Sequence, residues 1–218
     1  MKSTEKTQLK VWCVPGLAFL WLSEKLGEFI AENPNIDIEF RPTDVAPDFR
    51  SNAIDIDIRF IRNWEDENKS KSIRGFEFAR PKFFPVASGK LASRIGTLKS
   101  AADFLQYPLL HEDNDEGWRY WLEHQGLTGI DHLGGPRLWH ANLTLDAAAQ
   151  GAGIALANHL LVQRRLQTGE LQRVVSEEPL LDLEVGGYSM MSREDRWDSP
   201  VISRFRSWLE EMVQRSNE

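Results

Sequence analysis

The sequence predicts an α/β fold with a mainly parallel sheet. Two observations carry this. Strand-like and helix-like segments alternate from the start, "LKVWCV", a helical stripe, then "IDIEF". Further on, "LDAAAQGAGIALANHLL", residues 145–161, reads as a helix, a glycine turn and a short buried strand. The order within that stretch also decides a cofactor question. A dinucleotide fingerprint needs a strand, then glycines, then a helix. Here Leu143, Leu145 and Ala147 to Ala149 favour helix before Gly151 and Gly153, and the strand "IALAN" comes after. Both glycines are expected at a helix end and tight turn requiring positive φ, and no cofactor is expected.

The elements follow in order. "LKVWCV" is the first strand, and Pro15-Gly16 breaks it. The helix after the break, residues 19–31, carries Phe19, Leu22, Leu26 and Phe29 at spacings of three and four, one buried stripe. "ENPN" ends it and "IDIEF" is the second strand. "PTDVAPDFRSN" is a loop. "AIDIDIRF" alternates, with Ile54, Ile56, Ile58 and Phe60 on one face and Asp55, Asp57 and Arg59 on the other. Residues 62–75 are polar and expected to be exposed, and "FEFARPKFFPVAS" is a long, interrupted strand. The pattern resets at Lys90. "LKSAADFLQYP" is a short helix, "LLHE" a strand, and "EGWRYWLEHQG" a helix stopped by Gly126. "PRLWHA" is strand-like and leads into the helix–glycine–strand stretch. "NHLLVQRRLQTGEL" is a helix ended by Gly169, and "GGYSMMS" a strand. The last helix buries Ile202, Phe205, Trp208, Leu209 and Met212.

Composition narrows the function classes. With 26 Lys and Arg against 33 Asp and Glu, the net charge of −7 argues against nucleic-acid binding through the general field. A single cysteine, Cys13, excludes an internal disulfide and reads as a small core residue. No apolar run reaches the roughly 18 residues of a membrane span. The polar start lacks the apolar region of a signal peptide, so residues 1–7 are expected to be a flexible leader and the chain cytoplasmic. The five histidines show no metal-ligand spacing. Gly187-Tyr188-Ser189 is not a nucleophile elbow, because Met191 stands where glycine is required. Asp57 and Arg59 are two apart on one strand face and are read as an ion pair rather than an acid–base couple. No catalytic residue is expected. Trp118 and Trp121, near one another on a helix, are expected in the core.

An ordered set of motifs resembles the effector-binding domain of LysR-type transcriptional regulators. "VPGLAFLWLSEKLGEFIAENPNIDIEF" is similar to the family's opening, "IDIDIRF" to its "DxAIR" strand and "PVAS" to its crossover strand. "LLHEDNDEGWRYWL", "AAAQGAGIAL" and "LLVQRRLQTGELQRV" resemble its later segments, in order over about residues 8–213. The Trp-rich pattern is most like the branch with the glycine-cleavage activator and the β-lactamase regulators.

The resemblance implies two Rossmann-like subdomains of the type 2 periplasmic-binding-protein kind, 8–87 with 190–218 and 88–189. Crossover strands near Phe84–Ser88 and Gly187–Met191 would join them around a cleft holding a small effector. DNA would be met only through a helix-turn-helix. Nothing in residues 1–218 reads as one, so a domain without its DNA reader is expected. The resemblance also implies a homodimer, within a tetramer in a full-length regulator. Leu20, Trp21 and Ile30 widen the apolar surface of the first helix in keeping with this. The alternative is a solute-binding protein of the same fold serving transport.

Ligands in such folds meet strand ends and helix starts. One helix start is expected around Leu17–Phe19, bringing Gly16, Leu17, Ala18 and Phe19. The other is expected around Asn142–Thr144, with Asn142 as N-cap beside His140 and Leu143. Free N–H groups at both favour a carboxylate. Arg59 is the expected charge partner and Tyr188 a further contact, while Trp139 and His140 either line the cleft or pack. The family's usual hydroxyl residue in the first turn is Gly16 here, its strand alanine is Asp57, and its crossover glutamate is Arg80. The effector of a relative is therefore not carried over.

Overall fold

The computed structural model describes residues 7–51, 53–65 and 72–216. The expected leader, apart from Thr7, and residues 66–71 of the expected exposed stretch lie outside them. Strand β1, Thr7–Cys13, leads into helix α1, which runs through Pro15–Leu17, a π turn at Ala18–Leu22, and Ser23–Glu32. Strands β2 (Ile36–Pro42), β3 (Ile56–Arg62), β4 (Ile73–Ala79) and β5 (Lys82–Ser88) follow. Then come α2 (Gly89–Ile95), β6 (Thr97–Leu98), a 3-10 turn (Ala101–Gln106) and β7 (Leu109–Leu110). Helices α3 (Glu116–His124) and α4 (Ala141–Ala149) precede β8 (Ile154–Asn158) and α5 (His159–Gln167). Short strands β9 (Leu171–Arg173), β10 (Val175–Ser176) and β11 (Leu183–Glu184) lead to β12 (Gly186–Arg193), a 3-10 turn (Glu194–Arg196) and α6 (Pro200–Ser216).

The chain divides into two compact units, Met1–Arg80 with Gly186–Glu218, and Pro81–Val185. The boundaries expected at 87/88 and 189/190 stand further along the chain, inside β5 and β12. The first unit holds a sheet of order β2-β1-β3-β12-β4. Its β1 is parallel to β2 and β3, whereas β12 runs antiparallel to β3 and β4. In the second unit β7 and β8 are parallel, and β5 is antiparallel to β8, β9 and β11. Both sheets are therefore mixed rather than mainly parallel. Strand direction is set by long-range pairing, which alternation along the sequence does not encode.

In the first unit α1 and α6 bury their stripes together. Phe29 meets Phe205 and Trp208 at ring separations of 5.2 Å each. Every expected α6 core residue is buried. Of the expected α1 stripe Leu22, Leu26 and Phe29 are buried and Phe19, 56% exposed, is not; Leu17, Ala18 and Trp21 are buried as well. The helix starts at Pro15, because proline at the first helical position loses no intrahelical bond. The π turn then inserts a residue into the register, marked by the Ser23 N–H donating to the Ala18 carbonyl. Trp21 is thereby turned inward, and its Nε1 donates to Ser216 Oγ at 3.1 Å. In the second unit Phe104, Trp118 and Trp121 form an aromatic cluster with ring separations of 5.4–6.0 Å.

The glycine stretch resolves into two different devices. Gly151, at φ 84°, ends α4 in a Schellman motif: its N–H donates to Ala148 O and that of Ala152 to Ala147 O. Gly153 does not have positive φ, contrary to expectation. It is glycine because a Cβ there would lie 2.4 Å from the Pro108 carbonyl oxygen.

Candidate functional site

The expected binding residues fall at two helix starts, one in each unit. At α1, Val14 is the N-cap and Pro15 brings no N–H. Gly16 and Leu17 are left as the N–H groups without an intrahelical partner. The Ala18 N–H already donates to the Val14 and Pro15 carbonyls. Leu17 and Ala18 side chains are buried, so what this turn offers a ligand is backbone from Gly16 and Leu17 and the ring of Phe19.

At α4 the N-cap is His140, not Asn142. The extended φ/ψ of His140, −126° and 141°, is that of a cap, and the Thr144 N–H donates to its carbonyl. Ala141, Asn142 and Leu143 therefore supply the N–H groups without intrahelical partners. Asn142 Oδ1 is buried and has no hydrogen-bond partner among the described residues. Leu143 is exposed.

"PRLWHA" is not a strand: it makes one isolated bridge, Arg137 with His111. Trp139 sits at φ 65°, alone among the described non-glycine residues, and is 69% exposed. The His140 N–H reaches back to the Leu138 carbonyl at 2.7 Å, closing a γ-turn around Trp139. The Trp139 N–H donates to Glu112 O and the Leu138 N–H to His111 O, which holds the turn in place. Sequence reasoning missed this conformation, since nothing in a tryptophan signals left-handed backbone.

The segment before that turn is pinned by two histidines. His111 is buried, and its Nε2–H donates to Gly134 O at 3.1 Å. Asp115 accepts from His132 Nδ1 at 2.9 Å and from the Leu133 N–H at 2.8 Å. Burial alone would raise the Asp115 carboxyl, but the Leu133 N–H, the His132 ring and Arg119 hold it below the ordinary carboxylate value.

The remaining expected contacts are engaged within the first unit. Arg59 donates from Nε to both Asp57 oxygens at 2.8 and 3.0 Å, from Nη1 to Thr43 O and from Nη2 to Val45 O. The ion pair read from the sequence is present, and it also fastens the loop after β2. Burial pushes the Asp57 carboxyl above its ordinary value, with Arg59 pulling the other way. Tyr188 is buried in β12, its ring 4.9 Å from Phe60 and 6.2 Å from Phe78. Arg80 is bound to Glu77 and to Asn63 Oδ1. Burial, and then Asp57, push the Cys13 thiol far above its ordinary value, as suits an inert core residue. Among the described residues no three His, Cys, Asp or Glu side chains gather as a metal-holding group, and no helix is long and apolar enough to cross a membrane.

The LysR substrate binding domain model matches residues 2–214. The chain is 27% identical over 207 residues to the glycine cleavage system transcriptional activator of Escherichia coli K12, covering 94% of this chain and 64% of that protein. The chain thus spans less than two thirds of that relative. Among solved structures it resembles the effector domain of AmpR from Pseudomonas aeruginosa, with TM-score 0.77 and 24% identity over 95% of this chain and 96% of the other. The AmpR effector binding domain from Citrobacter freundii gives TM-score 0.78 and 22% identity, covering 96% and 100%.

Proposed function

The chain belongs to the LysR substrate binding domain family, and on that premise we propose that it is the effector-sensing part of a cytoplasmic DNA-binding transcription regulator, binding rather than transforming its ligand. The relatives named above are regulators, which favours this reading over transport. DNA contact would belong to a helix-turn-helix domain of the kind such regulators carry.

The observation that carries the ligand reading is the pair of helix starts. Gly16 and Leu17 on α1, and Ala141 to Leu143 on α4, present N–H groups without intrahelical partners, with the positive ends of the helix dipoles behind them. Asn142 Oδ1 adds a buried acceptor in want of a donor. Phe19, Trp139 and Leu143 are exposed apolar side chains at the same two starts. The effector is accordingly a small carboxylate with an apolar portion and a donor for Asn142, such as the ammonium of an amino acid.

Thermal-shift screening of amino acids, short peptides and organic acids tests this. A ligand at 100 times its Kd adds about 2.7 kcal/mol to stability. Gly16→Pro removes an N–H and is expected to abolish the shift. Asn142→Asp suits a helix start but repels a carboxylate, so it is expected to keep the fold and lose the shift. A shift that survives both variants places the ligand elsewhere.

The reading includes a homodimer. Ile30 leaves apolar surface on α1 exposed, at 45%, while Trp21 is satisfied inside the unit. Light scattering at micromolar concentration is expected to give the mass of a dimer, and a strictly monomeric mass would refute it.

A further inference from the structure

One residue of the second unit carries the segment that leads into the turn at Trp139. His111 follows β7 and is 2% exposed. Its N–H donates to Pro136 O at 3.0 Å, and its carbonyl accepts the Leu138 N–H at 2.9 Å. From the ring, Nε2 donates to Gly134 O at 3.1 Å. Residues 134, 136 and 138 thus hang from a single residue at alternate positions. The Thr144 hydroxyl, in the first turn of α4, lies 3.4 Å from the same His111 carbonyl. The loop backbone also runs close to the ring: a Cβ on Gly135 would stand 2.9 Å from His111 Nε2.

The main-chain bonds of His111 are open to any residue other than proline. The side-chain bond is not. A carbonyl acceptor fixes a proton on Nε2, so in the neutral ring Nδ1 is left as a lone pair. Nδ1 is buried and has no hydrogen-bond partner among the described residues. A buried polar atom without a partner is costly, and packing alone would favour an apolar side chain of similar volume. What the imidazole adds is the bond to Gly134. That bond lies just upstream of a conformation that does not hold itself. Trp139 is at φ 65°, a strained value for a non-glycine residue, and its ring is 69% exposed, so packing offsets little of the strain. Such a conformation persists where its surroundings over-determine it. Here the surroundings are the attachments of His111 and the bond from the Trp139 N–H to Glu112 O. The turn makes His140 the cap of α4 and so sets the aim of the Ala141, Asn142 and Leu143 N–H groups.

We propose that His111 is the positioning residue for the start of α4, acting through its Nε2–H on Gly134 and from there on the turn at Trp139. That this start meets the carboxylate of an effector rests on the reading above; that His111 sets it rests on the bonds of the unit itself. Without the ring bond the segment relaxes, Trp139 returns to negative φ, and the three N–H groups lose their common direction. The other pin stays in place, because Asp115 keeps His132 and the Leu133 N–H. The effect is therefore confined to residues after Leu133. The core around Phe104, Trp118 and Trp121 does not include His111 and is left intact.

The test is an NMR comparison of the 218-residue chain with His111→Leu, which lacks the donor, and His111→Gln, whose amide restores one. Positive φ brings the amide and α protons of a residue close together, so Trp139 is expected to give a strong intra-residue cross-peak in the wild-type chain. In His111→Leu that peak is expected to weaken. The Leu138 and Trp139 amides are expected to exchange about tenfold faster there, the loss of one hydrogen bond, with the amides of β8 unchanged. His111→Gln is expected to restore both signals. Acetate, the simplest carboxylate, is expected to shift Ala141, Asn142 and Leu143 in the wild-type and Gln chains, and to bind about tenfold more weakly in the Leu chain. If the Trp139 signals respond as stated while acetate moves none of the three amides in any chain, the effector reading fails and the positioning role stands. A Trp139 signature unchanged in His111→Leu, a loss that His111→Gln leaves unrepaired, or a loss of β8 protection along with it would overturn the proposal. Ring nitrogen shifts that place the wild-type His111 proton on Nδ1 would overturn it too.

Discussion

Arg59→Ala is expected to destabilise the first unit by about 3–5 kcal/mol at neutral pH, the cost of leaving a buried charge without its partner. Asp57 is 1% exposed and depends on Arg59 Nε for both its oxygens. The same guanidinium holds the carbonyls of Thr43 and Val45, so the loop after β2 loses its fastening as well. The pH dependence has a definite sign. The Asp57 carboxyl already titrates above its ordinary value in the folded protein. Native protein therefore binds more protons than unfolded chain between the ordinary value and the folded one, and the cost of the buried charge is relieved as pH falls through that window. Removing Arg59 removes the influence that lowers this value, so the window widens upward. The deficit of Arg59→Ala is expected to narrow as urea melts are taken from pH 7 towards pH 5. The double variant Asp57→Asn/Arg59→Ala is expected to lose less than Arg59→Ala alone. A pH-independent loss below about 1 kcal/mol would show that the pair is no strut.

Gly153→Ala is expected to cost about 3 kcal/mol, at the upper end of what overpacking brings. The added methyl would meet the Pro108 carbonyl at 2.4 Å and the Leu110 side chain at 3.0 Å. That carbonyl accepts the Ile154 N–H at 2.9 Å, the bond that seats β8 beside β7, so relief by moving it breaks strand pairing. Gly151→Ala is expected to cost about 1–2 kcal/mol, the penalty of a left-handed non-glycine residue. Its Cβ would face Ser88 Oγ at 3.3 Å, a side chain with some room to give. Denaturant melts of the two variants rank them, and a larger loss at Gly151 would contradict the assignment of the two glycines.

What the sequence made legible is what periodicity carries. The stripe of α6 and the pair Trp118 and Trp121 are long-range burial written into local spacing, and both are buried as read. The order helix, glycine, strand read at residues 145–158 is the order the structure has. Features without a periodic signature were missed. Helix α2 is seven residues long, too short to repeat a stripe, although Ser88 caps it by accepting the Leu91 N–H. The π turn at the start of α1 buries Ala18 and Trp21 and leaves Phe19 exposed, which a fixed helical period cannot anticipate. Asn142 was read as a cap from its residue type, but the turn at Trp139 places the cap two residues earlier, at His140. Of the expected binding residues, the helix starts kept their backbone donors, whereas Arg59 and Tyr188 are engaged by their own unit. The Asp57 partner of Arg59 was legible from its spacing of two, whereas the Thr43 and Val45 carbonyls that also hold Arg59, and the Phe60 ring beside Tyr188, come from distant parts of the chain.

The most direct test of an effector held at the two helix starts is to map a hit from the carboxylate screen by its amide shifts on the 218-residue chain. The account predicts saturable shifts at the helix starts, at Gly16 and Leu17 of α1 and at Ala141, Asn142 and Leu143 of α4. Saturable shifts that leave all five of these residues unmoved would contradict it.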